Sequence, residues 1–212
     1  MNNQNIKFAI FDMDGTLTDS MGFWRVDIPH CIKEFGFEGT VPEMHAILRN
    51  TVYEIPGNDE GLQIKVSGEK LQAAYRRIVS TLNELYSTAK LKPGMKTLLE
   101  QLKANDVRMC IATATAREQV EICLKSAGIS DYFEFLVCAG EYKNGKMTPE
   151  IFIDIMKRFG ALTSETAVYE DSLYSIKTAK RIGLYVIGVE DRFAVKHRDE
   201  IIKLCDEYIA ID

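Results

Sequence analysis

Hydrophobic and polar positions alternate along the chain in a way that predicts strands and helices in turn. Short, mostly apolar runs mark five predicted strands, the last of which we take as the final strand of the sheet: residues 6–11, 107–112, 134–138, 166–169 and 184–189. Between the later runs, apolar side chains recur every three or four residues, the spacing of a helix that buries one face. Regular alternation of strand and helix predicts a parallel sheet with helices on both faces.

Residues 20–90 break this rhythm, because they show helical but no strand patterning. Helices are predicted over residues 24–35, 42–54 and 68–86, which would form a small bundle. The predicted fold class is therefore α/β, a doubly wound, Rossmann-like parallel sheet with an inserted α-helical cap domain. The predicted domains are a core of residues 1–17 and 90–212 and a cap of residues 18–89, which would lie over the carboxyl ends of the strands.

Composition and charge exclude several classes of function. The chain has 212 residues and a net charge of -5, without the basic stripe that a nucleic-acid or anionic-membrane surface requires. No early apolar segment indicates export, so we expect a cytoplasmic protein. The five cysteines never form a close pair, which favours buried, reduced thiols. A monomer is expected, since no long apolar stripe lacks a predicted core to fill.

The candidate chemistry begins directly after the first strand. Asp12 and Asp14 stand two residues apart at its end, and Gly15 follows them. Two carboxylates at the end of a buried strand are costly unless something neutralises them. A bound divalent cation is the obvious neutraliser, and a phosphate ester is the obvious substrate for such a pair.

Other polar side chains follow the later strands. Thr113 ends the second predicted strand, Glu170 and Asp171 follow the fourth, and Lys146 precedes a helix. Ligands of such sheets bind at the carboxyl ends of the strands, so these groups are expected to converge on one edge. Oxygen ligands of this kind suit Mg²⁺, and an aspartate nucleophile would divide phosphate-ester hydrolysis into two easier steps.

These segments resemble, in order, the four motifs of the haloacid dehalogenase-like superfamily. The resemblance covers residues 5–18 and about 90–190 and is similar to the phosphatase and β-phosphoglucomutase-like subgroup, whose helical cap lies between motifs one and two. The matching segments are Phe11-Asp12-Met13-Asp14-Gly15-Thr16-Leu17-Thr18-Asp19-Ser20, Cys110-Ile111-Ala112-Thr113, Gly145-Lys146-Met147-Thr148-Pro149-Glu150-Ile151-Phe152 and Tyr169-Glu170-Asp171-Ser172-Leu173.

The resemblance implies catalytic roles for Asp12, Asp14 and Lys146, and also for Thr113, which would act on the phosphoryl group. Asp12 would be the nucleophile and a metal ligand. Asp14 would be the general acid and base, with its backbone carbonyl on the metal. Lys146 would bridge the nucleophile and the phosphate, although a solvated lysine in a polar loop is the alternative.

The resemblance also implies binding roles. Thr113 and the amide of Ala114 would hold the phosphoryl oxygens, and Asp171 and Glu170 would complete the Mg²⁺ site. Thr115 is predicted to cap the following helix rather than to contact a ligand. In the cap, Trp24 and Arg49 are the candidates for substrate binding.

The implied function is a Mg²⁺-dependent phosphatase that hydrolyses a small phosphorylated metabolite through an aspartyl-phosphate. A mutase of the β-phosphoglucomutase type is the alternative, because Thr113-Ala114-Thr115 is similar to the Ser-Ala-Ser of that enzyme. Hydrolysis is favoured, since no histidine follows the first motif until His30 and the mutase's arginine-containing cap segment is missing. A non-catalytic binding protein would have lost one of the chemical residues, and none is missing.

Overall fold

The computed structural model describes residues 6–40, 44, 47–48 and 68–211 of the chain. The chain divides into two compact units, one formed by Met1–Ser20 with Thr88–Asp212 and the other by Met21–Ser87. A cap function for the second unit stays a prediction. Within the described ranges, no helix combines the length and the hydropathy needed to cross a membrane.

The helices follow the predicted pattern. In the described residues the α-helices are α1 (Ile28–Lys33), α2 (Gly68–Tyr86), α3 (Met95–Ala104), α4 (Arg117–Ser126), α5 (Glu150–Phe159), α6 (Leu173–Arg181) and α7 (Arg198–Leu204). A π-helical turn, Phe23–Asp27, leads directly into α1. Helix α5 ends at Gly160, whose positive φ of 67° turns the chain in a conformation that glycine adopts without strain.

One parallel sheet forms the centre of the first unit. Over the described residues it has six strands in the order β3-β2-β1-β4-β5-β6. Their bounds are β1 (Phe8–Phe11), β2 (Arg108–Thr113), β3 (Phe135–Cys138), β4 (Thr166–Glu170), β5 (Tyr185–Val189) and β6 (Glu207–Ile209). All four residues of β1 are buried, as the position between β2 and β4 requires. The doubly wound α/β prediction is confirmed.

Residues Tyr185–Val189 form a strand, as predicted for residues 184–189, but the prediction that it is the last strand of the sheet is wrong. Strand β6 pairs in parallel with β5, with Ile187 opposite Glu207. Its three residues, Glu207, Tyr208 and Ile209, are only half-buried, and one of them is charged. The segment therefore does not show the continuous apolar run that marks the inner strands. Pairing with β5, rather than its own pattern, makes this segment a strand.

The hydrophobic core of the first unit joins α5 to the sheet. Ile151, Phe152 and Ile155 are fully buried or nearly so in one cluster with Ile10 of β1. The ring of Phe159 lies 5.1 Å from that of Phe8, centroid to centroid. Burial of a helix face against the inner strands fixes the sheet and thereby the loops at its carboxyl edge.

The second unit contains the π-helical turn, α1 and α2. Two of the three predicted cap helices, residues 24–35 and 68–86, are confirmed as helical, and the third, residues 42–54, falls largely outside the described residues. The indole N–H of Trp24 donates to the hydroxyl of Tyr86 at 2.8 Å, and the ring of Phe23 meets Tyr86 edge-on. Aromatic packing therefore joins the π-helical turn to the end of α2.

Candidate active site

The turn after β1 presents the first two carboxylates. Asp12 and Asp14 are 6% and 9% exposed. The backbone amide and the hydroxyl of Thr18 both donate to the carbonyl of Met13, each at 3.0 Å, which closes the turn. Gly15 has a φ of 84°, a value that a side chain would make unfavourable. Local sequence therefore fixes the turn that carries both acids.

Lys146 connects two of the acidic segments. Its ammonium donates to Oδ1 of Asp12 and, at 3.1 Å, to Oε2 of Glu170. The lysine is only 3% exposed, so the alternative of a solvated loop lysine is wrong. Burial lowers the pKa of Lys146, but Asp12 and Glu170 outweigh this effect, and the pKa lies above its usual value. The side chain is therefore a fixed positive charge beside Asp12.

Three carboxylates form a group that could hold a cation. Ligand atoms of Asp12, Glu170 and Asp171 all lie within 4.8 Å of one another. The hydroxyl of Thr16 donates to Oδ1 of Asp171 at 3.0 Å. Oε1 of Glu170 is buried and has no hydrogen-bond partner among the described residues. An unsatisfied buried carboxylate oxygen beside two further carboxylates suits a hard divalent cation such as Mg²⁺.

The electrostatics of this group show a shortage of positive charge. Burial, reinforced by the charge of Glu170, raises the pKa of Asp12 to about 8, against the opposing effect of Lys146. Burial and then the charges of Asp12 and Glu170 hold the pKa of Asp171 well above its usual range. Among the described residues, Lys146 is the only lysine that contacts these three buried carboxylates, and its single charge does not compensate them. A divalent cation would supply the missing charge.

Asp14 lies in a different environment from these three. Its Oδ1 accepts the hydroxyl of Ser20 at 2.5 Å, and its Oδ2 accepts the hydroxyl of Thr115 at 2.6 Å. The side chain of Asp14 is therefore held by hydroxyl donors, outside the group of three metal-binding candidates. Coordination of a metal by its backbone carbonyl stays a prediction.

The prediction that Thr115 caps a helix is wrong. Helix α4 has Ala116 at its N-cap position, without a side-chain hydrogen bond, and the hydroxyl of Thr115 turns to Asp14 instead. Sequence reasoning also missed Ser20. The sequence does show a hydroxyl at the end of the first motif, Ser20, and another after the second strand, Thr115. Neither position indicates which side chain the hydroxyl would contact.

Thr113 lies where the sequence places it, at the carboxyl end of β2. The register pairs Phe11 with Ile111, so Thr113 extends two residues further along the same edge. The residue is fully buried, and its hydroxyl oxygen accepts the backbone N–H of Thr115 at 3.1 Å. Ala114, which would offer its amide, is exposed. Their contact with a phosphate stays a prediction.

The two predicted cap residues have different outcomes. Trp24 is half-buried and uses its indole N–H within the second unit, on Tyr86. Arg49 lies outside the described residues. Substrate binding by either residue stays a prediction.

A doubly wound parallel sheet with buried carboxylates, a threonine and a lysine at its carboxyl edge defines an α/β protein built for chemistry on an anionic group. Residues 9–189 match the family model described as "Haloacid dehalogenase-like hydrolase". The match covers most of the chain, and the protein belongs to this family.

Curated relatives agree with this assignment, and a solved structure shares the fold. The chain is 28% identical over 178 residues to the "Phosphorylated carbohydrates phosphatase" of Thermotoga maritima, covering 83% of this chain and 81% of that protein. It is 30% identical over 206 residues to the "Probable pseudouridine-5'-phosphatase" of Drosophila melanogaster, covering 89% and 83%. The structure of CbbY from Rhodobacter sphaeroides in complex with phosphate is similar in fold, with a TM-score of 0.74, 19% identity and coverage of 96% and 93%.

Proposed function

We propose that this protein is a phosphatase that hydrolyses a small phosphorylated metabolite with Mg²⁺ and an aspartyl-phosphate intermediate. The observation that carries the proposal is the arrangement around Asp12. Its carboxylate accepts a hydrogen bond from the buried Lys146 and lies close to the carboxylates of Glu170 and Asp171. The phosphatase names of the two curated relatives support the reaction type.

In the first step, an oxygen of Asp12 attacks phosphorus. The Asp12 O–P bond forms as the bond from phosphorus to the leaving oxygen breaks, and Asp14 in its protonated form gives that oxygen a proton. Lys146 and the hydroxyl of Thr113 would stabilise the charge on the transferring phosphoryl group. Preorganised donors of this kind contribute much of the rate enhancement in such sites.

In the second step, water attacks the phosphorus of the aspartyl-phosphate. Asp14, now a carboxylate, accepts a proton from that water, the Asp12 O–P bond breaks, and inorganic phosphate leaves. The hydrogen bonds from Ser20 and Thr115 orient the carboxylate of Asp14. The same residue thus serves as acid and then as base.

Asp12, Glu170 and Asp171 would hold Mg²⁺, and this assignment follows from their shared geometry and their unsatisfied charge. The bound cation would screen the nucleophile's negative charge from that of the phosphate and neutralise charge on a phosphoryl oxygen.

Hydrolysis is favoured over phosphosugar mutation. The curated relatives given above carry phosphatase names, whereas similarity to a solved structure at 19% identity shows the fold alone. Trp24 and Arg49 stay candidates for recognising the part of the substrate beyond the phosphate.

The function is tested by measuring phosphate release from a panel of sugar phosphates, nucleoside monophosphates and small phospho-acids. We expect release that is lost in excess chelator and restored by Mg²⁺. Conversion of β-glucose 1-phosphate to glucose 6-phosphate, followed in parallel, should be absent. Interconversion without release would contradict hydrolysis, and release that survives the chelator would contradict the metal requirement.

Lys146→Met should lower kcat/KM for phosphate release by about 10²- to 10³-fold, because it removes a fixed charge that faces the phosphoryl group. Lys143→Met, an exposed lysine three residues earlier, is the matched control and should stay within about twofold of wild type. Steady-state kinetics at saturating Mg²⁺ measure both variants. Equal kinetics for the two would remove Lys146 from the mechanism.

A further inference from the structure

A second buried ion pair lies at the carboxyl edge of the sheet, between Lys92 and Asp191. The ammonium of Lys92 is 2.9 Å from Oδ2 of Asp191, and both residues are 5% exposed. The ammonium also donates to the carbonyl of Glu190 at 2.5 Å, and the backbone N–H of Phe193 donates to the other oxygen of Asp191 at 2.8 Å. Both side chains are thereby fixed, and the mechanism above uses neither.

The pair is tied to the same turn that holds Asp171. The backbone N–H of Lys92 donates to the carbonyl of Leu17 at 2.9 Å, and the hydroxyl of the adjacent Thr16 donates to Asp171 at 3.0 Å. Burial and the charges of Asp12 and Glu170 are the main causes that raise the pKa of Asp171. The charge of Asp191 raises this pKa further, whereas the charge of Lys92 lowers it. Both members of the pair are therefore connected to a proposed metal ligand, through the shared turn and through their charges.

A buried ion pair of this kind is an uncertain source of stability, because desolvation of two charges offsets their attraction. Its effect on a neighbouring charged site is more definite. Asp191 adds a negative charge near Asp171, and Lys92 cancels it. Loss of either partner leaves one unit charge, of opposite sign in the two cases, in a buried setting where electrostatic interactions are strong.

We propose that Asp191 and Lys92 are positioning residues that set the charge around Asp171 and thereby the affinity of the site for Mg²⁺. This inference rests on the proposed function, because it concerns the cation that Asp12, Glu170 and Asp171 would hold. Asp191 supports binding of the cation, and Lys92 limits the excess of negative charge that Asp191 would otherwise create.

The test is a calorimetric titration of Mg²⁺ into substrate-free protein, which reports binding without activity. Asp191→Asn leaves the ammonium of Lys92 uncompensated and should raise the Kd for Mg²⁺ about tenfold. Lys92→Met leaves the carboxylate of Asp191 and should bind Mg²⁺ at least as tightly as wild type, although its Tm falls. The double variant Lys92→Met/Asp191→Asn should return to within about threefold of the wild-type Kd.

A remote ion pair provides the matched control. The ammonium of Lys180 donates to Oδ2 of Asp206 at 2.6 Å. The same carboxylate oxygen accepts a hydrogen bond from the backbone N–H of Val186, near the start of β5. Lys180→Met should lower the Tm and leave the Kd for Mg²⁺ unchanged. With Mg²⁺ raised above its new Kd, Asp191→Asn should recover most of the wild-type kcat, which separates weaker metal binding from a damaged site.

The outcomes separate the two proposals. Weaker Mg²⁺ binding in both single variants would assign the pair a structural role and overturn the inference, as would an unchanged Kd in Asp191→Asn. If Asp191→Asn does not fold, weaker binding in Lys92→Met than in Lys180→Met would overturn it. Absence of Mg²⁺ binding and of Mg²⁺-dependent hydrolysis in the wild-type protein would instead contradict the proposed function.

Discussion

Asp12→Asn is expected to lower kcat for phosphate release by at least about 10⁴-fold, the largest effect of any single substitution in this chain. An asparagine amide cannot form the acyl-phosphate bond that begins the proposed reaction. Initial rates at saturating substrate and Mg²⁺ measure the loss. Turnover near the wild-type rate would contradict a mechanism in which Asp12 is the nucleophile.

Two controls distinguish lost chemistry from lost structure. Asp19→Asn makes the same change at an exposed residue, 3.5 Å from Arg192, and should keep kcat within about twofold.

The Tm of Asp12→Asn gives the second control. Burial raises the pKa of Asp12 from 3.8 to about 8, so ionisation of Asp12 destabilises the metal-free fold as pH rises between these values. An uncharged asparagine avoids this loss, and at pH 8 in chelator its Tm should not fall below wild type.

Asp14→Asn is expected to lower kcat by about 10²- to 10⁴-fold and to trap the phosphorylated enzyme. An aryl phosphate, whose leaving group needs no proton, should still phosphorylate Asp12, whereas the attack of water on the aspartyl-phosphate lacks its base. We expect a burst of product followed by slow turnover, and intact-mass measurement should show one phosphoryl group on the protein.

The double variant Asp12→Asn/Asp14→Asn locates the phosphoryl group, because it should show neither burst nor mass increase. An alkyl phosphate provides a second comparison, since its leaving group needs the acid and both steps should then be slow. An Asp14→Asn protein that turns over slowly without accumulating phosphorylated enzyme would remove Asp14 from the role of base.

Strands and helices of the sheet domain could be predicted from the sequence because their signals are local. Inner strands such as β1 are buried on both faces and appear as apolar runs, and a helix such as α5 repeats its apolar residues at helical spacing. Strand β6 could not be predicted, since its half-buried residues depend on pairing with β5 rather than on their own pattern.

For the site, the sequence by itself determined which acidic and basic residues follow which strand. Because the carboxyl ends of parallel strands lie at one edge of the sheet, it also predicted that these residues would lie near one another. Only the tertiary structure decided their partners. Thr115 is hydrogen-bonded to Asp14, 101 residues away, and Lys92 to Asp191, 99 residues away. A local sequence pattern cannot predict contacts between residues so far apart in the chain. Burial, which sets the pKa of Asp12 and isolates Lys92 with Asp191, likewise exists only once the chain has folded, because it depends on packing between distant segments.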